Sequence, residues 1–431
     1  MEHMKTAMPN LFPILALLLA CALPAGAGAA CQRGVYGVDQ ENFVVLGGAS
    51  APSATGQRYL WRDGRRGNTG DTDSAIACDA DVVTFRLPDG HTQRWPRRPT
   101  RETPTTFESA ETRLAGQLIE PADPVDPKRP LVVLVHGSEK TSAIGSVYAY
   151  LLAAQGVSVF VFDKRGTGSS EGEYTQNFEL LADDAAAALA EGRRLAAGRF
   201  GRAGFFGGSQ GGWVAPLAAT RSQADFVAVG FGLVVSPIEE DREQLLDEAR
   251  TLKLGKASEA QLERLSHATS LLVRSHFATG YSELARVKAA IGSAPWADKI
   301  EGEYSGDMLR MSEADLRRIG RARFDNLELI WDYDAVAALG RLHVPLLWVL
   351  AGEDREAPIA QTRKALTSRA NAGLPLDAYL FPDTDHGIVE FRTNPDGTRT
   401  PTRIADGYLR LLADWIKGRT DGPYGKSVKL H

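Results

Sequence analysis

The stretch GFFGGSQGGW, from Gly204 to Trp213, sets one serine between two pairs of glycines directly behind an aromatic run. Taken alone, it is either a flexible glycine loop that contains a hydroxyl or a strained strand-to-helix turn that lifts Ser209 clear of the backbone. The flanking residues decide between the two. RAGFF ahead of the serine has the composition of a short buried strand, and QGGWVAPLAAT after it reads as a helix. In a turn that tight, packed neighbours leave no room for side chains, which is why glycine stands around the serine. A helix starting just past Ser209 also brings backbone N–H groups and positive dipole charge toward the hydroxyl.

Outward from this turn, strands and helices alternate. RPLVVLVHG and VSVFVFD are continuous apolar runs, as expected of strands buried on both faces of a parallel sheet. SVYAYLLAAQG and NFELLADDAAAALAEGRRLAA read as helices, and FVAVGFGLVVS as another strand. Charged amphipathic helices such as EEDREQLLDEARTLKL then interrupt the pattern over about residues 237–340, before VPLLWVLAG, QTRKALTSRA, LDAYLF and ADGYLRLLADWIKG resume it. The expected fold is α/β, a doubly wound, mostly parallel sheet over residues 112–418 with a helical cap insertion, followed by a C-terminal tail, 419–431. Ahead of it, residues 31–101 read as a small β domain of short strands, with Asp63-Gly64 and Asp89-Gly90 as hairpin turns. The threonine- and proline-rich RPTRETPTTFES, residues 98–109, reads as a linker.

The first thirty residues carry one lysine, an apolar run from Leu11 to Leu23 and a small-residue end, the order of a secretory leader. Cleavage near Ala29 or Ala30 leaves a mature chain starting around Cys31 and predicts an exported, periplasmic or secreted protein. LLAC at Leu18–Cys21 is an imperfect lipid-attachment pattern, and the unlipidated form is favoured over an anchor at Cys21. The apolar run is too short to span a bilayer comfortably. Of three cysteines, Cys31 and Cys78 remain outside the leader, and in an oxidising compartment they most simply form one disulfide. No Cys/His spacing suggests a metal, and no cofactor is expected. A net charge of −5 with no basic stripe argues against nucleic acid as a partner.

A serine nucleophile needs a base, and the base needs an orienting acid. AGEDREAP (351–358) ends a strand with Glu353, Asp354 and Glu356, and DTDHG (383–387) puts His386 after the next strand. His136, His267, His276 and His343 are the other candidates for the base. His136 fits a structural place in its glycine loop, His267 and His276 fall on cap helices, and His343 precedes a strand.

With VHGS (135–138), DKRGTGSS (163–170) and GGSQGG (207–212), these segments resemble α/β-hydrolases of the serine esterase and peptidase kind, over about residues 112–418. The resemblance implies a catalytic set of Ser209, Asp354 and His386, with oxyanion N–H groups from Ser138 and Gln210. In the family the acid commonly lies four residues before a proline, which from Pro358 gives Asp354. One residue is missing between Gly352 and that position, so Glu353 stays open as the acid. Asp163 and Arg165 read as an ion pair shaping the site wall. Such equipment implies acyl transfer to water through an acyl-enzyme, on a small-molecule ester of a small to medium acyl group. The alternative is a serine peptidase, in which cap acids such as Glu239, Glu240, Asp241, Glu243 and Glu301 hold a substrate's amino terminus. A non-catalytic binding protein on the same scaffold is a distant third, since no position of the set is lost. Apolar cap residues, among them Leu262, Leu265, Leu271, Leu272 and Phe277, either pack the cap or line an acyl pocket.

Overall fold

The computed structural model describes residues 31–48, 56–87, 89–122 and 124–431. The expected leader and Cys21 lie outside the described residues.

A nine-stranded sheet organises the chain. Six of its strands, Leu131–Val135, Ser158–Phe162, Ala203–Gly208, Val227–Gly230, Leu346–Ala351 and Asp377–Phe381, are mutually parallel, with Ala203–Gly208 between Leu131–Val135 and Val227–Gly230. They are nearly all apolar and, apart from the ends of some strands, buried, because helices cover both faces. Phe178–Leu195, Gly211–Thr220 and Ala360–Asn371 pack one face, around Phe160, Phe205 and Trp348. Val147–Ala154 and Tyr408–Ile416 pack the other, around Phe206, Phe226 and Tyr379. The cap is helical, as expected, from Pro237–Thr251 through Ala335–Gly340, and has a hydrophobic core of its own.

Residues 98–109 are not a linker. Thr100–Ser109 is a strand that pairs along its whole length with Thr112–Pro121 and forms the edge of the main sheet. Its β-branched threonines suit a half-exposed pleated surface, and its proline is tolerated because the strand is an edge. The tail is likewise structured in part, since Val428–Lys429 pairs antiparallel with Asp377–Phe381.

The N-terminal residues build a separate seven-stranded antiparallel sheet between Gly34 and Asn68 and between Ile76 and Arg98, and both expected hairpins are present. Strands Gly34–Gly37 and Phe43–Gly47 and most of Arg58–Trp61 are buried on both faces, whereas Arg66–Asn68, Ile76–Asp79, Val82–Arg86 and Thr92–Arg98 leave residues exposed. Val35, Phe43, Val45 and Leu60 join the core around helix Val147–Ala154, while Tyr36, Val44, Leu46, Tyr59 and Trp61 form a second cluster with Val83 and Phe85. Two close backbone approaches seat this sheet on the rest. Gly48 N–H donates to Gly145 O at 2.9 Å, and Ile404 N–H donates to Gly64 O at 3.0 Å. A side chain at Gly64, where φ is +90°, would come within 1.9 Å of the Ile404 carbonyl.

Cys31 and Cys78 are disulfide-bonded across a sequence separation of 47. In the chain-entropy account such a link is worth about 4 kcal/mol. Cys78→Ser is therefore expected to lower the midpoint of urea unfolding, with the loss concentrated in the N-terminal sheet when followed by amide exchange. An unchanged midpoint would remove the disulfide from the list of stabilising features.

Candidate active site

Ser209 sits where strand Ala203–Gly208 turns into helix Gly211–Thr220, in the left-handed conformation with φ 53°. That strained backbone is possible because its neighbours lack side chains. A Cβ on Gly207 would stand 2.2 Å from Gly211 O, and one on Gly211 would stand 2.4 Å from Val135 O. Ser209 N–H donates to Gly230 O at 3.2 Å, and its carbonyl accepts from Gly212 N–H at 2.7 Å, which close the turn.

His386 arrives from 177 residues further along, and its Nε2 lies 3.1 Å from Ser209 Oγ. On the other side of the ring, Nδ1 lies 3.0 and 3.1 Å from the two carboxylate oxygens of Asp354. Asp354 is itself buried, and its Oδ1 accepts from the N–H groups of Glu356 at 3.1 Å and Ala357 at 2.7 Å. Phe231 packs edge-on against the imidazole with ring centres 5.1 Å apart.

Glu353 is turned away and engaged elsewhere. Arg399 donates to its carboxylate at 2.6 Å, to its carbonyl at 2.7 Å and to Asp385 at 2.7 Å. Asp385 in turn accepts from the N–H groups of Arg355 and His386, each at 3.0 Å. Arg399 thus ties the acid loop to the histidine loop from a three-stranded sheet, Thr384–Asp385, Val389–Thr393 and Arg399–Ile404. Its role was missed from sequence because no local pattern marks a lone arginine on a short strand.

Ser138 and Gln210 both line the space beside Ser209. The loop carrying Ser138 is held by its carbonyls: Lys164 Nζ donates to Gly137 O at 2.6 Å, and Tyr174 OH donates to Ser138 O. Burial pushes the Lys164 ammonium down to about 8. Lys164 lies inside the quoted DKRGTGSS, but its partner could not be read from the motif. The expected Asp163–Arg165 ion pair does not form. Asp163 organises turns instead, accepting from Ser142 Oγ at 2.6 Å, Ala143 N–H at 2.9 Å and Ser169 N–H at 2.9 Å. Arg165 makes a buried bidentate pair with Asp184, at 2.6 and 2.8 Å.

Among the other histidines, burial and the Lys164 charge push His136 down to about 4, so it stays neutral. His276 binds Asp325 at 2.8 Å, and His267 and His343 are exposed. Among the described residues, no group of three His, Cys, Asp or Glu side chains is arranged to hold a metal ion.

A cavity of about 380 Å³ opens above Ser209 and His386, with Leu134, Tyr148, Phe206 and Phe231 in its walls. A second, of about 260 Å³, lies under the cap and is lined by Ser209, Gln210, Glu240, Glu303, Tyr304 and Glu356 among others. Of the cap acids singled out in sequence, only Glu240 reaches this space. Glu239 caps its own helix, Asp241 accepts from Ser305 Oγ at 2.6 Å, Glu243 pairs with Arg242 at 2.8 Å, and Glu301 is exposed. Leu262, Leu265, Leu272 and Phe277 are buried in the core of the cap, and neither they nor Leu271 line either cavity.

A sequence profile of the alpha/beta hydrolase family matches residues 132–399, more than half of the chain, and the chain belongs to that family. No curated protein matches it significantly. Among solved structures it is similar to the esterase Pf2001 of Pyrococcus furiosus, at 12% identity and a TM-score of 0.40, over 67% of this chain and 85% of that one. It is also similar to the acylaminoacyl peptidase of Pyrococcus horikoshii, at 16% identity and a TM-score of 0.41, over 83% of this chain and 52% of the peptidase. A third is Est1E of Butyrivibrio proteoclasticus with ferulic acid bound, at 13% identity and a TM-score of 0.40, over 73% of this chain and 96% of Est1E.

Electrostatically, burial alone would push the His386 imidazole down. The hydrogen bond and charge of Asp354, with the carboxylates of Glu356 and Asp385, outweigh it and hold the ring above its ordinary value. Glu356 lies 3.5 Å from Nε2. If neutral His386 is the working form, activity appears as pH rises through this elevated value. Glu356→Gln removes a negative charge that stabilises the imidazolium, so the acid limb of the kcat/KM profile is expected to move to lower pH. A limb that stays in place or moves up would show that Glu356 does not act on the ring.

Proposed function

We propose that this hydrolase works through a serine nucleophile, Ser209, with His386 as general base and Asp354 as its orienting acid, and that it cleaves carboxylic esters of small to medium acyl groups. The observation that carries this reading is the unbroken hydrogen-bond chain, 3.0 Å from Asp354 to His386 and 3.1 Å from His386 to Ser209. On this reading Ser209 Oγ attacks the ester carbonyl while its proton passes to His386 Nε2. The oxyanion is met by the N–H groups of Ser138 and Gln210, and the alcohol leaves with the proton returned by His386. Water, activated by the same imidazole, then hydrolyses the acyl-enzyme. The 380 Å³ cavity, walled partly by apolar side chains, supports a modest acyl group.

The reading extends to organisation and location. Residues 1–30 serve as an export leader, the small β domain ends at about residue 98, and the hydrolase domain runs from its edge strand at Thr100–Ser109 through the tail strand Val428–Lys429, with its cap at about 237–340. The Cys31–Cys78 disulfide supports an exported, periplasmic or secreted protein, and no helix among the described residues is long and apolar enough to cross a membrane.

A second reading, a serine peptidase acting on substrates with a free amino group, is favoured by one observation. Glu240, Glu303 and Glu356 line the cavity beside Ser209. Burial, reinforced by the charges of Glu303 and Glu356, raises the Glu240 carboxyl well above its ordinary range, which a bound ammonium would reverse.

The mature chain, residues 31–431, is to be assayed on p-nitrophenyl esters from acetate to decanoate beside aminoacyl and prolyl p-nitroanilides. Ester turnover that falls at least ~10⁴-fold in Ser209→Ala is expected. Amide turnover as efficient as ester turnover, and lowered selectively by Glu240→Gln, would move the assignment to the peptidase. No turnover of either kind by a folded protein that a fluorophosphonate fails to label would end the hydrolase reading.

A further inference from the structure

A cleft of about 1010 Å³ runs between the N-terminal sheet and the three-stranded sheet and opens on His386. Tyr148, Glu356 and His386 line both this cleft and the cavity above Ser209, so the two adjoin. Ser209 itself borders the cavity and not the cleft. In an acyl transfer the imidazole must hand its proton to the departing oxygen, so the departing half of the substrate belongs on the His386 side. That assignment rests on the serine hydrolase reading above.

The charges in the cleft are not balanced. Arg66, from the N-terminal sheet, and Arg355, from the acid loop, both line it, and among the described residues neither guanidinium has an ion-pair partner. The carboxylates nearby are engaged: Asp385 with Arg399 at 2.7 Å, Asp71 with the N–H of Asn68 at 3.2 Å, and Glu356 leaning on His386 at 3.5 Å. Burial, with the like charge of neighbouring Arg58 and against the opposing influence of Tyr148, lowers the Arg66 guanidinium. Tyr148 stands between this group and the catalytic cavity. Burial pushes its phenol up to about 12 against the pull of Arg66 and Arg58, so it stays a neutral hydroxyl donor. Two guanidiniums and a hydroxyl facing one cleft suit an oxyanion.

We propose that the N-terminal sheet completes the active site as an anion-binding subsite, and that the preferred esters carry a carboxylate or phosphate on the alcohol that leaves. The sheet is held against the rest of the site by backbone hydrogen bonds, Gly48 to Gly145 and Ile404 to Gly64. Carboxylate and phosphate share the recognising chemistry, and separate substrates distinguish them.

The test uses acetate esters of 4-hydroxybenzoate, of 4-hydroxyphenyl phosphate and of the uncharged methyl 4-hydroxybenzoate, with the full mature chain. The quantity read is the ratio of kcat/KM for each anionic ester to that for the uncharged one. Arg66→Gln and Arg355→Gln are each expected to lower this ratio about tenfold, through KM, as for loss of one charge-assisted hydrogen bond. Added salt is expected to lower it in the wild type and much less in the variants. The anionic ester with the larger ratio identifies the group the subsite takes. A ratio that neither variant moves, or equal losses on charged and uncharged esters, would overturn the proposal. Calorimetric binding to Ser209→Ala separates the two layers of the argument. If no ester is turned over, a preference for the anionic ester that Arg66→Gln abolishes keeps the subsite while the hydrolase reading falls, and no preference removes the subsite as well.

Discussion

Backbone packed against backbone around Ser209 is the constraint on which the rest of the site depends. Strand Ala203–Gly208 lies between two parallel neighbours, and the helix that follows must start close beneath it, so Gly207 meets Gly211 and Gly211 meets Val135 with no space for a methyl group. The serine pays for this with a left-handed φ of 53°, a strain on the order of 1–3 kcal/mol that only a surrounding core can hold. That core exists on both faces of the sheet, with Phe205 turned to one and Phe206 to the other. The alternation along a single strand thus anchors the turn from above and below.

Around that turn, the structure positions groups from distant parts of the chain by cross-linking loops and not by lengthening elements. Arg399 binds Glu353 and Asp385 together, which fixes the loops that bear Asp354 and His386. Lys164 and Tyr174 hold the loop of Ser138 by its carbonyls. The resulting groove is electrically uneven. Carboxyl groups from the cap, Glu240 and Glu303, face one end, and guanidiniums of Arg66 and Arg355 face the other. In a partly desolvated groove such asymmetry acts more strongly than the same charges would in water.

Much of this was legible in the residues. The buried parallel strands are apolar without alternation, the turn is marked by paired glycines, and hairpins at Asp63-Gly64 and Asp89-Gly90 follow from turn chemistry. The candidate positions Ser209, Asp354 and His386 come together, and Cys31 meets Cys78. The errors share a cause. Thr100–Ser109 looked like a linker because threonine and proline mark turns, yet pairing with Thr112–Pro121 overrides that local preference. Asp163 and Arg165 looked like partners because they are near in sequence, yet their side chains diverge, one to backbone N–H groups and the other to Asp184. The five cap acids named from sequence looked interchangeable, and of those five only Glu240 faces the cavity.

Local chemistry, readable along the chain, determined which segments are strands, where the strained turn must fall, and which residue types a serine would need as companions. These follow from short-range sterics and hydrophobic pattern, which a sequence carries explicitly. Tertiary structure alone decided that Asp354 and not Glu353 faces His386, that Arg399 and Lys164 brace the site, and that the N-terminal sheet forms one wall of the cleft leading to it. Each of these depends on the direction of a side chain after loops from separate parts of the chain have met, and that direction is set by packing between segments that share no local pattern.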